Sequence, residues 1–165
     1  MIKELKHRAI EKPDFEQICQ FPQNAEELFF MYPKAEYPLT ENQLESAINS
    51  RFDSTVILFK DIIVGIANFY EVKKNQYVSI GNVVVDANYR NLGIGKYLIQ
   101  TMEQIAVEKY SVSELHLSCF NTNTKGLLLY SKLGYIPYGT EKWLTPQSES
   151  LVLIKMKKRI SSILG

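Results

Sequence analysis

The chain has 165 residues, of which 45% are hydrophobic and 22% are charged. This balance excludes a disordered or fibrous protein, and the length predicts a single domain over residues 1–165. Nineteen Lys and Arg against eighteen Asp and Glu give a net charge of +1, so we do not expect nucleic acid as a partner.

The cysteines and the apolar segments indicate where the protein works. Cys19 and Cys119 have neither a paired nor a metal-site spacing, and we expect both to be free thiols in a reducing compartment. Residues 1–15 mix charged and apolar side chains, where a secretory signal needs an unbroken apolar run. No window approaches the 18 or so apolar residues of a membrane span. We therefore predict a cytoplasmic protein without a membrane partner or a bound metal.

The first 50 residues are predicted to form one short strand and three short helices. Residues 5–10 alternate loosely between apolar and polar side chains as a strand does, and residues 14–20 predict a helical turn. Asn24 and Thr40 each have the spacing of a helix N-terminal cap and predict two further helices. Residues 32–39 between them are rich in proline and tyrosine, which predicts an irregular loop.

From residue 55 the sequence becomes rich in β-branched and aromatic side chains. Residues 55–60, 62–72 and 77–86 predict an antiparallel meander of three strands. After them, apolar side chains recur at helical spacing over residues 94–109 and predict one long amphipathic helix.

The last third of the chain repeats this change between strand and helix. Residues 114–120 predict a strand, which completes a strand–helix–strand unit with the preceding elements. Residues 124–133 predict a helix that ends at Gly134. Residues 135–143 and 150–157 predict two closing strands joined by a turn.

The most informative segment is VVVDANYRNLGIG, residues 83–95, in which a strand runs through a polar turn into the long helix. Gly93 and Gly95 lack Cβ atoms, so a phosphate could approach the backbone closely at the helix N-terminus, which favours anions. Arg90 adds a full positive charge nearby. A tight strand-to-helix connection that binds nothing is the alternative. The spacing fits neither a P-loop nor a dinucleotide loop.

Residues 90–95, RNLGIG, resemble the pyrophosphate loop of the GCN5-related N-acetyltransferases, the GNAT family. The family's signature is Arg or Gln, two residues, Gly, one residue, then Gly or Ala. Residues 123–135 are similar to a second family motif, Asn-x-x-Ala-x-x-Leu-Tyr-x-x-x-Gly-Phe, with Gly126 for Ala and Tyr135 for Phe. The resemblance covers residues 55–157 and implies an α/β (α+β) fold with a mixed, largely antiparallel central sheet flanked by helices.

This resemblance implies an acetyl-CoA-dependent N-acetyltransferase that passes the acetyl group directly to an amine. Tyr130 would protonate the departing coenzyme A thiolate, a task that suits a phenol because a pKa of about 10 keeps it protonated at neutral pH. The carbonyl oxygen of the thioester would accept a hydrogen bond from a backbone N–H of the strand at residues 83–85, where it splays from residues 115–118. The implied coenzyme A-binding residues are Val83, Val84, Val85, Arg90, Asn91, Leu92, Gly93, Ile94, Gly95 and Asn123.

The group that takes the proton from the amine is not identified by a motif. Glu71, His116 and water are the candidates, and each side chain could equally be an ordinary surface group. Cys119 could carry the acyl group, although no histidine partner is evident, and a buried thiol is the alternative. A chain that keeps the loop without an evident base could also be a non-catalytic acyl-CoA-binding sensor or regulatory module.

Residues 29–39 and 138–148 are expected to select the acceptor. Their aromatic side chains could enclose a cationic or apolar acceptor, their carboxylates could attract an amine, and both sets could equally be ordinary surface and core groups. The side chains are Tyr32, Tyr37, Tyr138 and Trp143 for the first role and Glu36 and Glu141 for the second. The identity of the acceptor, the acyl-chain preference and the choice between monomer and homodimer stay open.

Overall fold

The structure is a computed structural model of the chain and describes residues 4–160, so the predicted domain limits at residues 1 and 165 lie outside the described residues. Short 3₁₀ turns at Lys12–Asp14 and Ala87–Tyr89 come before α1 and α4. The strands and helices are β1 (Leu5–Ala9), α1 (Phe15–Ile18), α2 (Ala25–Met31), α3 (Glu41–Asn49), β2 (Phe52–Phe59), β3 (Ile62–Lys73), β4 (Tyr77–Val85), α4 (Ile94–Tyr110), β5 (Glu114–Phe120), α5 (Thr124–Lys132), β6 (Ile136–Leu144) and β7 (Ser150–Arg159).

Within residues 4–160, seven strands form one sheet in the order β1-β2-β3-β4-β5-β7-β6. Strands β4 and β5 are parallel and are connected by α4, as the predicted strand–helix–strand unit requires. The other neighbouring pairs in the sheet are antiparallel. The predicted fold class, a mixed and largely antiparallel sheet flanked by helices, is confirmed.

Two hydrophobic cores lie against this sheet. One is formed by α4, whose buried Leu98 and Met102 belong to a cluster with strand residues such as Phe69. The other joins α1, α2 and α3 to side chains of β2 and β3 such as Val56. Full burial of one such side chain stabilises the fold by about 1.5–3 kcal/mol, so the helices are firmly held.

The helix starts were predicted well because the signals are local. The Asn24 side chain accepts a hydrogen bond from the Glu27 amide at 2.9 Å, and Thr40 accepts one from a main-chain amide in the first turn of α3. The predicted helical turn over residues 14–20 is the short α1. Strand β2 begins at Phe52 rather than at residue 55, because pairing with β3 extends it.

Candidate active site

Strands β4 and β5 lie side by side for only part of their length. Their pairing ends at Ile80 and Leu117, although β4 continues to Val85 and β5 to Phe120. No strand within residues 4–160 therefore pairs with the backbone of residues 81–85 on that side. An unpaired strand edge presents N–H and C=O groups that can bond an extended ligand.

A bulge in β4 accompanies this separation. Asn82 lies at a register shift between β3 and β4 with a φ of 50°, a left-handed conformation that asparagine tolerates. Asn68 of β3 donates a hydrogen bond to the Asn82 side chain at 2.9 Å, and Asn82 donates one to the Met31 carbonyl at 2.9 Å. Both asparagines are buried. The paired amides therefore hold the bulge and tie it to the end of α2.

A cleft of about 1250 Å³ opens where the two strands separate. The end of β4, the loop after it and the start of α5 line it together with α2 and strands β5–β7. Leu92 does not line the cleft and is 45% exposed. The predicted residues that do line it are Val83, Val84, Val85, Arg90, Asn91, Gly93, Ile94, Gly95, Asn123 and Tyr130.

The loop between β4 and α4 has the backbone geometry of an anion site. Gly93 caps α4 with a φ of 85°, which a side chain would strain. At Gly95 a Cβ would lie 3.1 Å from Leu129 of α5, so this glycine lets the two helices approach closely. The Tyr97 amide bonds the Gly93 carbonyl, which leaves the N–H groups of residues 94–96 without an acceptor inside the helix.

The Arg90 guanidinium is already bound to other groups of the protein. It donates two hydrogen bonds of 2.9 Å to Glu27 of α2 and one of 3.2 Å to the Val85 carbonyl. The ion pair raises the pKa of Arg90 and lowers the pKa of Glu27. The positive charge expected at the loop is therefore balanced by Glu27, and Arg90 ties the loop to α2. Lys96 and Lys125 also line the cleft.

Tyr130 of α5 is 7% exposed and lines the cleft. Burial and the nearby Cys119 raise the pKa of its phenol, so the hydroxyl is protonated at neutral pH. Burial also raises the pKa of the Cys119 thiol to about 12, which makes it a poor nucleophile. The geometry therefore favours a buried thiol over an acyl carrier at Cys119.

Asn123 caps α5 by accepting a hydrogen bond of 3.0 Å from the Gly126 amide. A Cβ at residue 126 would lie 2.7 Å from the Asn123 amide nitrogen and 3.0 Å from Cys119 Sγ. Gly126, where this sequence departs from the family motif, therefore makes room for the cap. It lies in the first turn of α5, where the helix penalty of glycine is smaller than in the interior.

Both candidate bases lie on one wall of the cleft. Glu71 of β3 is 3.5 Å from the Ser79 hydroxyl, and Ser79 pairs with His116 of β5 in the sheet register. The His116 ring stacks on Tyr77 at 4.1 Å between centroids, and its Nε2 is 2.9 Å from Glu114. The hydrogen bond with His116 lowers the pKa of Glu114. The other ring nitrogen, Nδ1, is 3.5 Å from the Tyr138 hydroxyl, which also lies in the cleft.

The predicted acceptor-selecting residues divide into two groups. Tyr138, Trp143 and Glu141 line the cleft, whereas Tyr32, Tyr37 and Glu36 do not. The buried Trp143 Nε1 has no hydrogen-bond partner among the described residues. Trp143 packs edge-on against Phe120, whose ring stacks on Phe29 of α2. Residues 29–39 contribute Phe30, Met31 and Pro33 to the lining.

Two other kinds of site are absent from residues 4–160. No group of three His, Cys, Asp or Glu side chains in that range is placed to hold a metal ion. No helix in the same range is long and apolar enough to cross a membrane. Cys19 and Cys119 are both free, as predicted.

The sequence model of the acetyltransferase (GNAT) family matches residues 15–135. This range contains the β4 bulge, the loop before α4 and Tyr130. The chain belongs to the acetyltransferase (GNAT) family. The resemblance of residues 90–95 and 123–135 to the family's motifs is thereby confirmed at the level of the family.

Curated relatives match a shorter part of this GNAT chain. It is 29% identical over 65 residues to the spermine/spermidine N(1)-acetyltransferase of Bacillus subtilis (strain 168). That match covers 39% of this chain and 43% of the relative. It is 39% identical over 64 residues to an N-alpha-acetyltransferase of Sulfurisphaera tokodaii, covering 39% of this chain and 36% of the relative. The chain thus spans less than half the length of these relatives.

Solved structures share the fold of this GNAT chain over nearly its whole length. Spermidine N-acetyltransferase from Vibrio cholerae in complex with CoA and spermine has a TM-score of 0.81 at 16% identity, with 98% of this chain and 99% of that one covered. The ribosomal-protein-S18-alanine N-acetyltransferase from Escherichia coli has a TM-score of 0.73 at 20% identity, with 95% and 94% covered. These likenesses support the fold.

Proposed function

We propose that the chain is an acetyl-CoA-dependent N-acetyltransferase that passes an acetyl group directly to a primary amine. One observation carries this proposal: the unpaired edge of β4, the loop at the start of α4 and the protonated Tyr130 all face one cleft. The named activities of the matched relatives support it. The unpaired thiols Cys19 and Cys119 fit a cytoplasmic location.

The donor would be held mainly by backbone groups. The unpaired strand edge at residues 83–85 would bond the pantetheine arm, and a backbone N–H there would stabilise the thioester oxygen. The N–H groups of residues 94–96 would bond the pyrophosphate, with Lys96 and Lys125 as nearby cations. The Arg90–Glu27 ion pair would keep the loop in place instead of supplying free charge. The amide nitrogen of Asn123 would bond the donor, because its oxygen caps α5.

The transfer needs one proton acceptor and one proton donor. Acetyl-CoA supplies the thioester. The amine lone pair forms the new C–N bond, and the C–S bond breaks as Tyr130 gives its proton to the leaving sulfur. The proton lost by the amine goes to Glu71 or His116, directly or through water. Both side chains lie on the wall beside Ser79, and solvent restores the phenol proton.

A pair of variants distinguishes the two candidate bases. Glu71→Gln and His116→Gln each remove one basic atom while keeping a similar size. For the true base, kcat should fall by about 10²–10⁴-fold. The other variant should keep the kcat of the wild type. If both keep it, water takes the proton without help from either side chain.

The experiment that tests the proposed function is coenzyme A release from acetyl-CoA against a panel of primary amines and peptides. The proposal predicts an amine-dependent rate, with the acetylated amine detected by mass spectrometry. If acetyl-CoA binds but no amine raises the rate of release, the acyl-CoA-binding sensor is the better account. If acetyl-CoA does not bind, both accounts fail.

A further inference from the structure

Arg51 differs from the other arginines of the chain. The sequence contains four arginines, and three of them form ion pairs with carboxylates over residues 4–160. These pairs are Arg8–Asp14, Arg90–Glu27 and Arg159–Glu114. Arg51 forms no ion pair with any described residue, yet it lines the cleft. A guanidinium that no carboxylate of the described residues neutralises is available to a ligand anion.

The Arg51 guanidinium is held in position by neutral groups. It lies over the ring of Tyr32 at 5.9 Å and over the ring of Tyr70 at 5.5 Å. One of its nitrogens donates a hydrogen bond of 3.2 Å to Asn68. Because a guanidinium has five N–H groups, this one bond leaves most of its donors unused. Burial lowers the pKa of Arg51, and a bound anion would offset that cost of desolvation.

The position of Arg51 is next to the place where transfer would occur. A Cβ at Gly81 would lie 2.6 Å from Arg51 Nη1, so the guanidinium touches the backbone of β4. Gly81 directly precedes the bulge residue Asn82 and follows Ile80, the last residue of β4 that pairs with β5. The acetyl end of the donor would lie near this point if pantetheine follows residues 83–85, a premise that rests on the proposed function.

We propose that Arg51 binds the carboxylate of the acceptor, so that the substrate is a small amine that also carries an acid group. Glu71 follows Tyr70 in β3 and lines the same cleft. An acceptor with its carboxylate on Arg51 would place its amine toward the wall that carries Glu71 and His116. A polyamine would instead bring a second cation toward an uncompensated guanidinium, which is repulsive. The acceptor class therefore differs from the spermine and spermidine of the relatives' names.

The test uses acids and their neutral analogues of the same shape. The twenty common L-amino acids and their carboxamides are titrated by calorimetry into the protein saturated with coenzyme A. The wild type should bind at least one amino acid about 10- to 100-fold more tightly than its carboxamide. Arg51→Gln should remove that preference, and Arg51→Lys should restore part of it. Lys12→Gln, which removes a cation paired with Glu45 outside the cleft, is the control and should keep it.

The outcomes separate this inference from the proposed function. Binding that prefers the acid and depends on Arg51, without any thiol release, would keep the inference and reject the transferase. Thiol release with spermidine that is equal in the wild type and in Arg51→Gln would keep the transferase and overturn the inference. Absence of an Arg51-dependent preference across the whole panel would also overturn it. An equal loss of acid and carboxamide binding would mean that Arg51 only braces Asn68.

Discussion

Replacing Tyr130 by Phe removes the proposed proton donor while keeping its ring, which packs edge-on against Tyr135 at 6.2 Å between centroids. Burial and the nearby Cys119 raise the pKa of the hydroxyl, and no hydrogen bond to a described residue contributes. Because the variant breaks no such bond, the loss of stability should stay below about 1 kcal/mol. The phenol is a much weaker acid than a thiol, whose pKa is about 8.5. Proton transfer from the phenol to the leaving sulfur is therefore unfavourable. This places the expected effect at the low end of general acid catalysis, about 10²-fold in kcat.

The assay is coenzyme A release at saturating amine over a range of acetyl-CoA concentrations, together with urea denaturation of both proteins. The KM for acetyl-CoA should be unchanged, because the hydroxyl is needed only when the thiolate leaves. Because burial raises the pKa of Tyr130, the kcat of the wild type should show no fall up to about pH 10. The control is Tyr110→Phe, because the Tyr110 hydroxyl donates to Asp53 outside the cleft. An unchanged kcat in Tyr130→Phe would refute the reasoning.

Three further predictions concern stability and thiol chemistry. Asn82→Ala leaves buried amide partners unsatisfied and should lower the free energy of unfolding by about 1–3 kcal/mol in urea denaturation; an unchanged value would mean that the bulge does not depend on this side chain. The pKa of Asp14 is lowered by its hydrogen bonds with Arg8 and a backbone amide, against the effect of burial. Asp14→Asn should therefore destabilise the fold at neutral pH, and the difference should vanish as the pH falls through the folded-state pKa of Asp14; a constant difference would contradict this. Cys119→Ser should keep thiol release, whereas an acyl carrier would lose it.

The sequence predicts the parts of this fold that depend on neighbouring residues. The caps at Asn24 and Thr40, the helical spacing of α4 and the loop at residues 90–95 are all local signals, and each corresponds to a feature of the structure. The motif around Tyr130 is local in the same way, whereas the cleft that Tyr130 lines is formed by segments from several parts of the chain.

Features that join distant segments could not be predicted from the sequence. The Arg90–Glu27 pair and the bond from Asn82 to Met31 connect residues more than 50 positions apart. Both depend on how α2 packs against the sheet, which no local pattern encodes. The sequence signal for the buried network was one asparagine in each of two apolar strands, IIVGIANFY and YVSIGNVVV. Arg51 carries no motif at all, and only its position in the cleft without an ion pair to any described residue indicates a role.

Acetyl transfer itself is tested most directly with acetyl-CoA labelled with ¹³C in the acetyl group. The protein is incubated with this donor and the amines and peptides of the panel, and products and protein are analysed by mass spectrometry. The account predicts that the label appears on the nitrogen of an acceptor and that no labelled acetyl group stays on the protein. Label bound to Cys119, or hydrolysis to acetate without any labelled amine, would contradict direct transfer to an amine.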